Sequence, residues 1–235
     1  MQEPLLTLYN IYGFDHNSIQ NIVCGEKYHA VILKNGNIGV CSTLNKIFKL
    51  SLIDLKNPDL DNIKHRIILN AYYNAQLNYL NTYNEDCDIF KKIKFKDFSN
   101  IVMTGYFGPL VRKFRKEKIK LNIFDKKTDH RKVLNIENQV EYISEADALI
   151  LSATTIFNNS FCELVEATNK NCKIFLLGPS SIMCKEILSY KNMSIIFGSI
   201  FSNNDQKILK EISQGGGTKS FSPFSRKVYF TKNQG

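Results

Sequence analysis

An α/β fold in two parts is predicted for these 235 residues, a small α+β unit with an antiparallel sheet followed by a Rossmann-like parallel sheet. Three observations carry that prediction. Asn35-Gly36 joins two β-rich runs in YHAVILKNGNIGVCST; five apolar runs, NIVMT, KLNIF, ALILSA, KIFLLG and SIIFG, recur beyond residue 100 with helical stretches between them; and the first of these leads into the turn GYFGPL.

In chain order, Asn35-Gly36 predicts a hairpin, because both residues tolerate the positive φ of a type I′ turn. After Pro58, the stretch LDNIKHRIILNAYYNAQLNYL sets Ile63, Ile67, Ala71 and, with drift, Leu77 along one face, which predicts a helix under an Asp61 cap. Asn81 to Ser99, rich in Asn, Asp and Lys and weakly periodic, reads as the connection. The parts are therefore expected to span 1–95 and 96–235. Beyond the connection, continuous apolar strands alternating with helices imply a parallel sheet covered on both faces.

In an open sheet of that kind the ligand sits outside the carboxyl ends of the strands. Four loops fall there: Gly105–Pro109, Asp125, Ser152–Asn159 and Gly178–Ser181. Each carries a structural reading beside a functional one. Gly105 and Gly108 suit a tight strand-to-helix turn with Pro109 in the first helical turn, or a phosphate cradle weaker than GxGxxG or GxxxxGK[ST]. Asp125 stands where an acid holds ribose hydroxyls, and equally where one caps a turn. Thr154, Thr155 and Asn158 offer hydroxyls and an amide to a polar ligand, or caps to a helix. Gly178 permits close backbone approach, with Ser180 or Ser181 as a donor at a helix start. Four such loops at one sheet edge favour a ligand.

Composition limits the alternatives. No apolar run approaches the roughly 20 residues that span a bilayer, and MQEPLLTLYN lacks a signal-peptide pattern, so a cytoplasmic protein with no membrane partner is expected. The net charge of +9 invites nucleic acid. Against that, the basic residues are spread, and the densest group, Arg112, Lys113, Arg115, Lys116, Lys118 and Lys120, belongs to a short amphipathic helix with Val111 and Phe114 inward. Nucleic acid is not the expected partner. Cys24, Cys41, Cys87, Cys162, Cys172 and Cys184 form no CxxC and read as small buried hydrophobes, while His16, His29, His65 and His130 are dispersed. GxSxG, HExxH and P-loop patterns are absent, so no catalytic residue or metal ligand is assigned and enzyme status stays undecided.

Six segments in order, VCGEKYHAVILKNGNIGV, ILNAYYN, TGYFGPL with IFDK, EADALILSATTIFNNSF, LLGPSS and GGGTKSFSPFSRKVYF, resemble the DUF364 family, labelled “putative heavy-metal chelation”, whose amino-terminal partner domain is DUF4213. The resemblance implies an enolase amino-terminal-like α+β domain before the Rossmann-like one, with a site in the cleft between them. It implies a small polar or anionic ligand, a metal chelate or metallophore-related metabolite, and a role in metal ion homeostasis. Carried over by motif, Asn70 and Tyr73 of NAYYN, Gly105, Phe107 and Gly108 of GYFGP, and Asp125 line that cleft. So do Thr154, Thr155, Asn158, Gly178, Pro179 and Ser180. Asn70 and Tyr73, three apart on a helix, are expected to project together toward the Rossmann-like loops. GYFGPL in place of GxGxxG speaks against NAD, and the cofactor class left open is a metal ion or metal chelate. A nucleotide- or SAM-type binding enzyme and a non-enzymatic metal carrier or regulatory subunit are the alternatives. A homo-oligomer is left open.

Overall fold

The structure, a computed structural model, describes residues 1–49, 55–83, 88–126 and 132–232. The chain opens with helix α1 (Pro4–Tyr12), where the Glu3 carboxylate accepts from Leu6 N and Pro4 stands in the first turn. Strands β1 (Ile19–Cys24), β2 (Tyr28–Leu33) and β3 (Ile38–Ser42) then form an antiparallel meander. The turn between β2 and β3 departs from the expected type I′. Within 34–36 only Gly36 takes a positive φ, 88°, and Leu33 N donates to Asn37 O while Gly36 N donates to Leu33 O. This is a three-residue loop with glycine at its left-handed position; the Asn35 side chain instead accepts from Asn37 N.

Helix α2 (Ile63–Leu77) lies where the periodicity places it, but its cap is Asn62, whose Oδ1 accepts from Lys64 N at 3.0 Å. Asp61 stands one residue too early to reach that donor. Eleven of the 15 residues of α2 are buried, so it is a central helix without a solvent face rather than the one-sided helix its apolar spacing predicts.

The remaining elements are α3 (Ile89–Lys92), β4 (Ile101–Thr104), α4 (Gly108–Lys116), β5 (Asn122–Phe124), β6 (Val133–Leu134), α5 (Gln139–Ser144) and β7 (Ala148–Ser152). They continue with α6 (Thr154–Phe157), α7 (Phe161–Glu166), β8 (Lys173–Leu177), α8 (Lys185–Leu188), β9 (Met193–Phe201), α9 (Gln206–Ser213), α10 (Thr218–Phe221) and β10 (Ser225–Phe230). The large sheet has the order β10-β9-β8-β7-β4-β5-β6, parallel except for β10, which runs antiparallel to β9. The chain leaves β4 toward β5 and leaves β7 toward β8, so connections part between these two strands.

Each face of the large sheet has its own core. Val111 and Phe114 of α4 pack with Met103, Ile150 and Phe175, leaving Arg112, Lys113, Arg115 and Lys116 exposed as the amphipathic reading expects. The opposite face merges with the amino-terminal elements, since Leu149, Leu176 and Ile196 share one cluster with Leu5, Val31, Ile67 and Leu69. The far face of the small sheet is covered from the other end of the chain: Ala30, Ile32, Ile38 and Val40 bury against Ile208 and Ile212 of α9 and Phe221 of α10. On its near face β3 runs against the backbone of α2, for a Cβ on Gly39 would stand 2.1 Å from Ala71 O. Among the described residues no helix is long and apolar enough to cross a membrane.

Candidate functional site

The turn after β8 faces α2, and there a four-residue spacing does what the three-residue one does not. Asn70 and Asn74 of α2 and Asn78, the residue that caps its end, are fully buried and continue one helix face. Asn70 Nδ2 donates to Ser180 O at 2.9 Å, Asn74 Nδ2 to Pro179 O at 2.9 Å and Ser181 O at 2.8 Å, and Asn78 Nδ2 to Ser181 O at 3.0 Å. Asn78 Oδ1 accepts from Met183 N at 2.7 Å. The same groups close the free edge of β3: Val40 N donates to Asn74 Oδ1 and Ser42 N to Ser180 Oγ. One turn earlier, buried Arg66 donates to the carbonyls of Leu60, Ile156 and Phe157 and pairs with the Glu3 carboxylate.

Tyr73 does not join this seam. Its hydroxyl donates to Gly13 O at 2.8 Å and its ring meets Tyr72 edge-on at 5.3 Å. With about 100° per residue, a position three along the helix trails the first by about 60° and one four along leads by about 40°. Asn74 thus reaches the turn while Tyr73 faces the amino-terminal part, where burial pushes its phenol pKa up.

The loops nearest the parting of the strands are occupied by their own backbone. Gly105, at φ 82°, donates its N–H to Phe124 O, and a Cβ there would stand 3.1 Å from Ser152 Cβ. The Asp125 carboxylate accepts from Tyr106 N at 2.7 Å. Thr154 Oγ1 pairs with Ser152 Oγ at 2.9 Å, Thr155 Oγ1 donates to Ser152 O at 2.7 Å, and Asn158 Oδ1 accepts from both Ser160 N and Ser160 Oγ. These are the turn and cap roles that such residues also fill.

Open space lies beside them, toward β10. A cleft of about 380 Å³ is bounded by Tyr106, Phe107, Gly108 and Pro109 after β4, Leu177, Gly178 and Pro179 after β8, and Phe197 and Ser199 of β9. Tyr28 of β2, Thr218 and Lys219 of α10, and Lys227 of β10 complete it, so its lining draws on both sheets. Phe107, Gly108, Gly178 and Pro179 are thus sequence-predicted positions that meet in the cleft. Ser180 turns into the seam with Asn70; Gly105, Asp125, Thr154, Thr155 and Asn158 stay at the strand ends outside the lining. Tyr28, Ser199, Lys219 and Lys227 escape sequence reasoning. The two lysines stand in GGGTKSFSPFSRKVYF, but nothing local indicates that β10 pairs with β9 and carries them toward the loop after β4.

Among the described residues three lysines and one carboxylate line the cleft, Lys113, Lys219 and Lys227 against Asp88, a net of +2. Asp88 is bound to Lys113 Nζ at 2.8 Å. Burial works against its charge, but the Lys113 ammonium, the Phe90 N–H and nearby Lys227 outweigh burial and hold its carboxyl below the usual range. Lys219 and Lys227 make no ion pair among the described residues. Tyr28 bonds Thr218 Oγ1 through its hydroxyl at 3.1 Å and meets Phe221 edge-on at 5.0 Å.

Thiols and imidazoles stand elsewhere. Cys41, Cys172 and Cys184 are buried, and burial raises each thiol pKa, that of Cys172 to about 12, which disfavours the thiolate form. Cys24 and Cys162 are half-buried, while Cys87 and His130 lie outside the described residues. Among the described residues no three His, Cys, Asp or Glu side chains are grouped to hold a metal ion.

The fold defines the class: a Rossmann-like sheet whose cleft is completed by elements from both ends of the chain. A model of the DUF364 family, described as “Putative heavy-metal chelation”, matches residues 88–231, and the chain belongs to that family. It is similar to the crystal structure of a DUF364 protein of unknown function from Pyrococcus horikoshii, 24% identical, covering 91% of this chain and 92% of that one with a TM-score of 0.76. It is also similar to one of unknown function from Desulfitobacterium hafniense DCB-2, 15% identical, covering 97% and 98%, with a TM-score of 0.73. At these identities the likeness establishes the fold. No curated protein matches the chain.

Proposed function

We propose that the protein binds a small anionic ligand in the cleft between its two parts, a metal chelate or a related metabolite, and acts in metal ion homeostasis. One observation carries this reading: an open cleft with apolar walls drawn from both parts and two lysines without ion-pair partners among the described residues. The family's description supports a chelate as cargo. The metal's donor atoms then belong to the ligand, because among the described residues the lining offers no thiol or imidazole and its carboxylate is held by Lys113.

A nucleotide held through Asp125 fits less well, since that carboxylate accepts from Tyr106 N. A carrier that binds bare metal through cysteine and histidine has no grouped ligands among the described residues to support it. We read residues 1–95 as the DUF4213-type amino-terminal domain, with the family match beginning at residue 88 as support for a boundary in that region. Native mass spectrometry of gently purified protein tests the binding function. The expected result is a substoichiometric small-molecule adduct lost on denaturation; repeated absence of an adduct, together with no thermal shift from any organic anion or chelate, would overturn it.

A further inference from the structure

Resting on that reading, we propose a narrower ligand class: a planar ring carrying a single anionic group, with the anion anchored by Ser199 and Lys227. Ser199 lines the cleft at 7% exposure and has no hydrogen-bond partner for its hydroxyl among the described residues. The oxygen itself is not enclosed by protein, so it opens on the cleft, where a ligand oxygen can take the place of water as its partner. Directly opposite in the β9–β10 ladder stands Lys227. Cross-strand partners share a face with Cβ atoms about 5 Å apart, close enough for a hydroxyl and an ammonium to bracket one carboxylate or phosphate.

The nearby acid, Asp88, has its ion pair with Lys113; Lys227 is close enough to help keep that carboxyl ionised but makes no ion pair among the described residues. Much of the remaining lining is apolar. Tyr106, Phe107 and Phe197 present aromatic walls, and Leu110, Leu177 and Val228 add aliphatic ones. A flat ring buries against such walls with neither polar groups stranded nor geometry lost, since offset and edge-on aromatic contacts are both favourable. A bare oxyanion would leave those walls wet. A polycarboxylate would bring more charge than Lys219 and Lys227 can meet and would place its remaining oxygens against carbon.

Aryl carboxylates and nucleoside monophosphates both answer this description, and calorimetric titration separates them. The probes are 2,3-dihydroxybenzoate with its neutral amide, AMP with adenosine, and citrate as an aliphatic polyanion. Binding is expected for one of the two ring anions, about tenfold or more tighter than for its neutral counterpart. Lys227→Gln and Ser199→Ala should each weaken that binding by about tenfold at unchanged melting temperature, and Lys116→Gln on the exposed face of α4 should leave it unaltered. Citrate binding without either ring anion overturns the ring class and leaves the anionic cleft standing. No binding by any probe overturns both, and ring-anion binding indifferent to the two substitutions removes the Ser199–Lys227 anchor.

Discussion

On one side of the 178–181 turn, α2 presents Asn70, Asn74 and Asn78, and each side-chain amide donates to a backbone carbonyl of that turn. On the other side Ser199, Lys219 and Lys227 border the cleft without hydrogen-bond or ion-pair partners among the described residues. Both sides are polar in sequence. They differ in pairing: in the dry seam every side-chain amide nitrogen finds a carbonyl, with only Asn70 Oδ1 left without a partner among the described residues, and this fixes one arrangement of the elements; polar groups left over beside open space are available for recognition. Residue type alone therefore does not identify the site.

The largest effect is expected where the saturated side is broken. Arg66→Met removes a buried guanidinium that joins α2 to α6 and α1, leaving the Glu3 carboxylate and three carbonyls without their donor. A loss of about 3–5 kcal/mol is expected, the usual cost of breaking a buried charge pair. Urea unfolding measures it, and a loss below about 1 kcal/mol would show that this contact does not hold the parts together.

Asn74→Leu comes next. It removes two donors from the carbonyls of Pro179 and Ser181 and the acceptor of Val40 N. About 2–3 kcal/mol is expected, because buried groups left unpaired carry their desolvation cost. Hydrogen exchange sharpens the comparison: the Val40 amide should lose protection in this variant, while amides of β9 beside the cleft keep theirs. Equal loss in both places would mean that seam and cleft open as one unit.

A third effect depends on pH. His29 is fully buried against Phe48, with ring centroids 4.4 Å apart, and among the described residues its ring nitrogens meet only the backbone of Gly25 and Tyr28, without a well-formed hydrogen bond. Burial lowers its pKa, so the unfolded chain takes up a proton near pH 6.5 that the folded protein refuses. The stability from this group is complete above pH 6.5 and is lost as pH falls toward the folded value, at no more than about 1.4 kcal/mol per pH unit. In His29→Leu that part of the slope should vanish. An unchanged profile between pH 6.5 and 5 would assign the acid sensitivity to other groups.

How much of this was legible in the sequence follows from how local each signal is. The five parallel strands, α4 with its buried Val111 and Phe114, and the span of α2 rest on periodicity within a few turns, and each appears where expected. The cap of α2 and the Asn35-Gly36 turn were placed correctly to within a residue but not in type, since side-chain geometry decides between Asp61 and Asn62. The cover of the small sheet by α9 was not legible, because it joins residues about 180 positions apart on the strength of shape alone. Asn70 and Tyr73 show the same limit within one helix: both are polar and stand three apart in one motif, and only the rotation of α2 against the 178–181 turn separates their roles.

The smallest effect tests the open side. Lys219 is exposed on α10, lines the cleft, and has no ion-pair partner among the described residues, so replacing it removes no folded-state contact. Lys219→Gln is therefore expected to change stability by no more than about 0.5 kcal/mol, as for surface substitutions away from special features. Its effect should appear in association instead. With one positive charge gone from a cleft lined by three lysines and one carboxylate among the described residues, the on-rate of an anionic ligand should fall and depend less on salt, while the off-rate stays close to that of the parent protein. Stopped-flow mixing at two ionic strengths reads both quantities. A stability loss above about 1 kcal/mol would mean that Lys219 is bound into the fold as Arg66 is, and the contrast between the saturated seam and the open cleft would not extend to this rim.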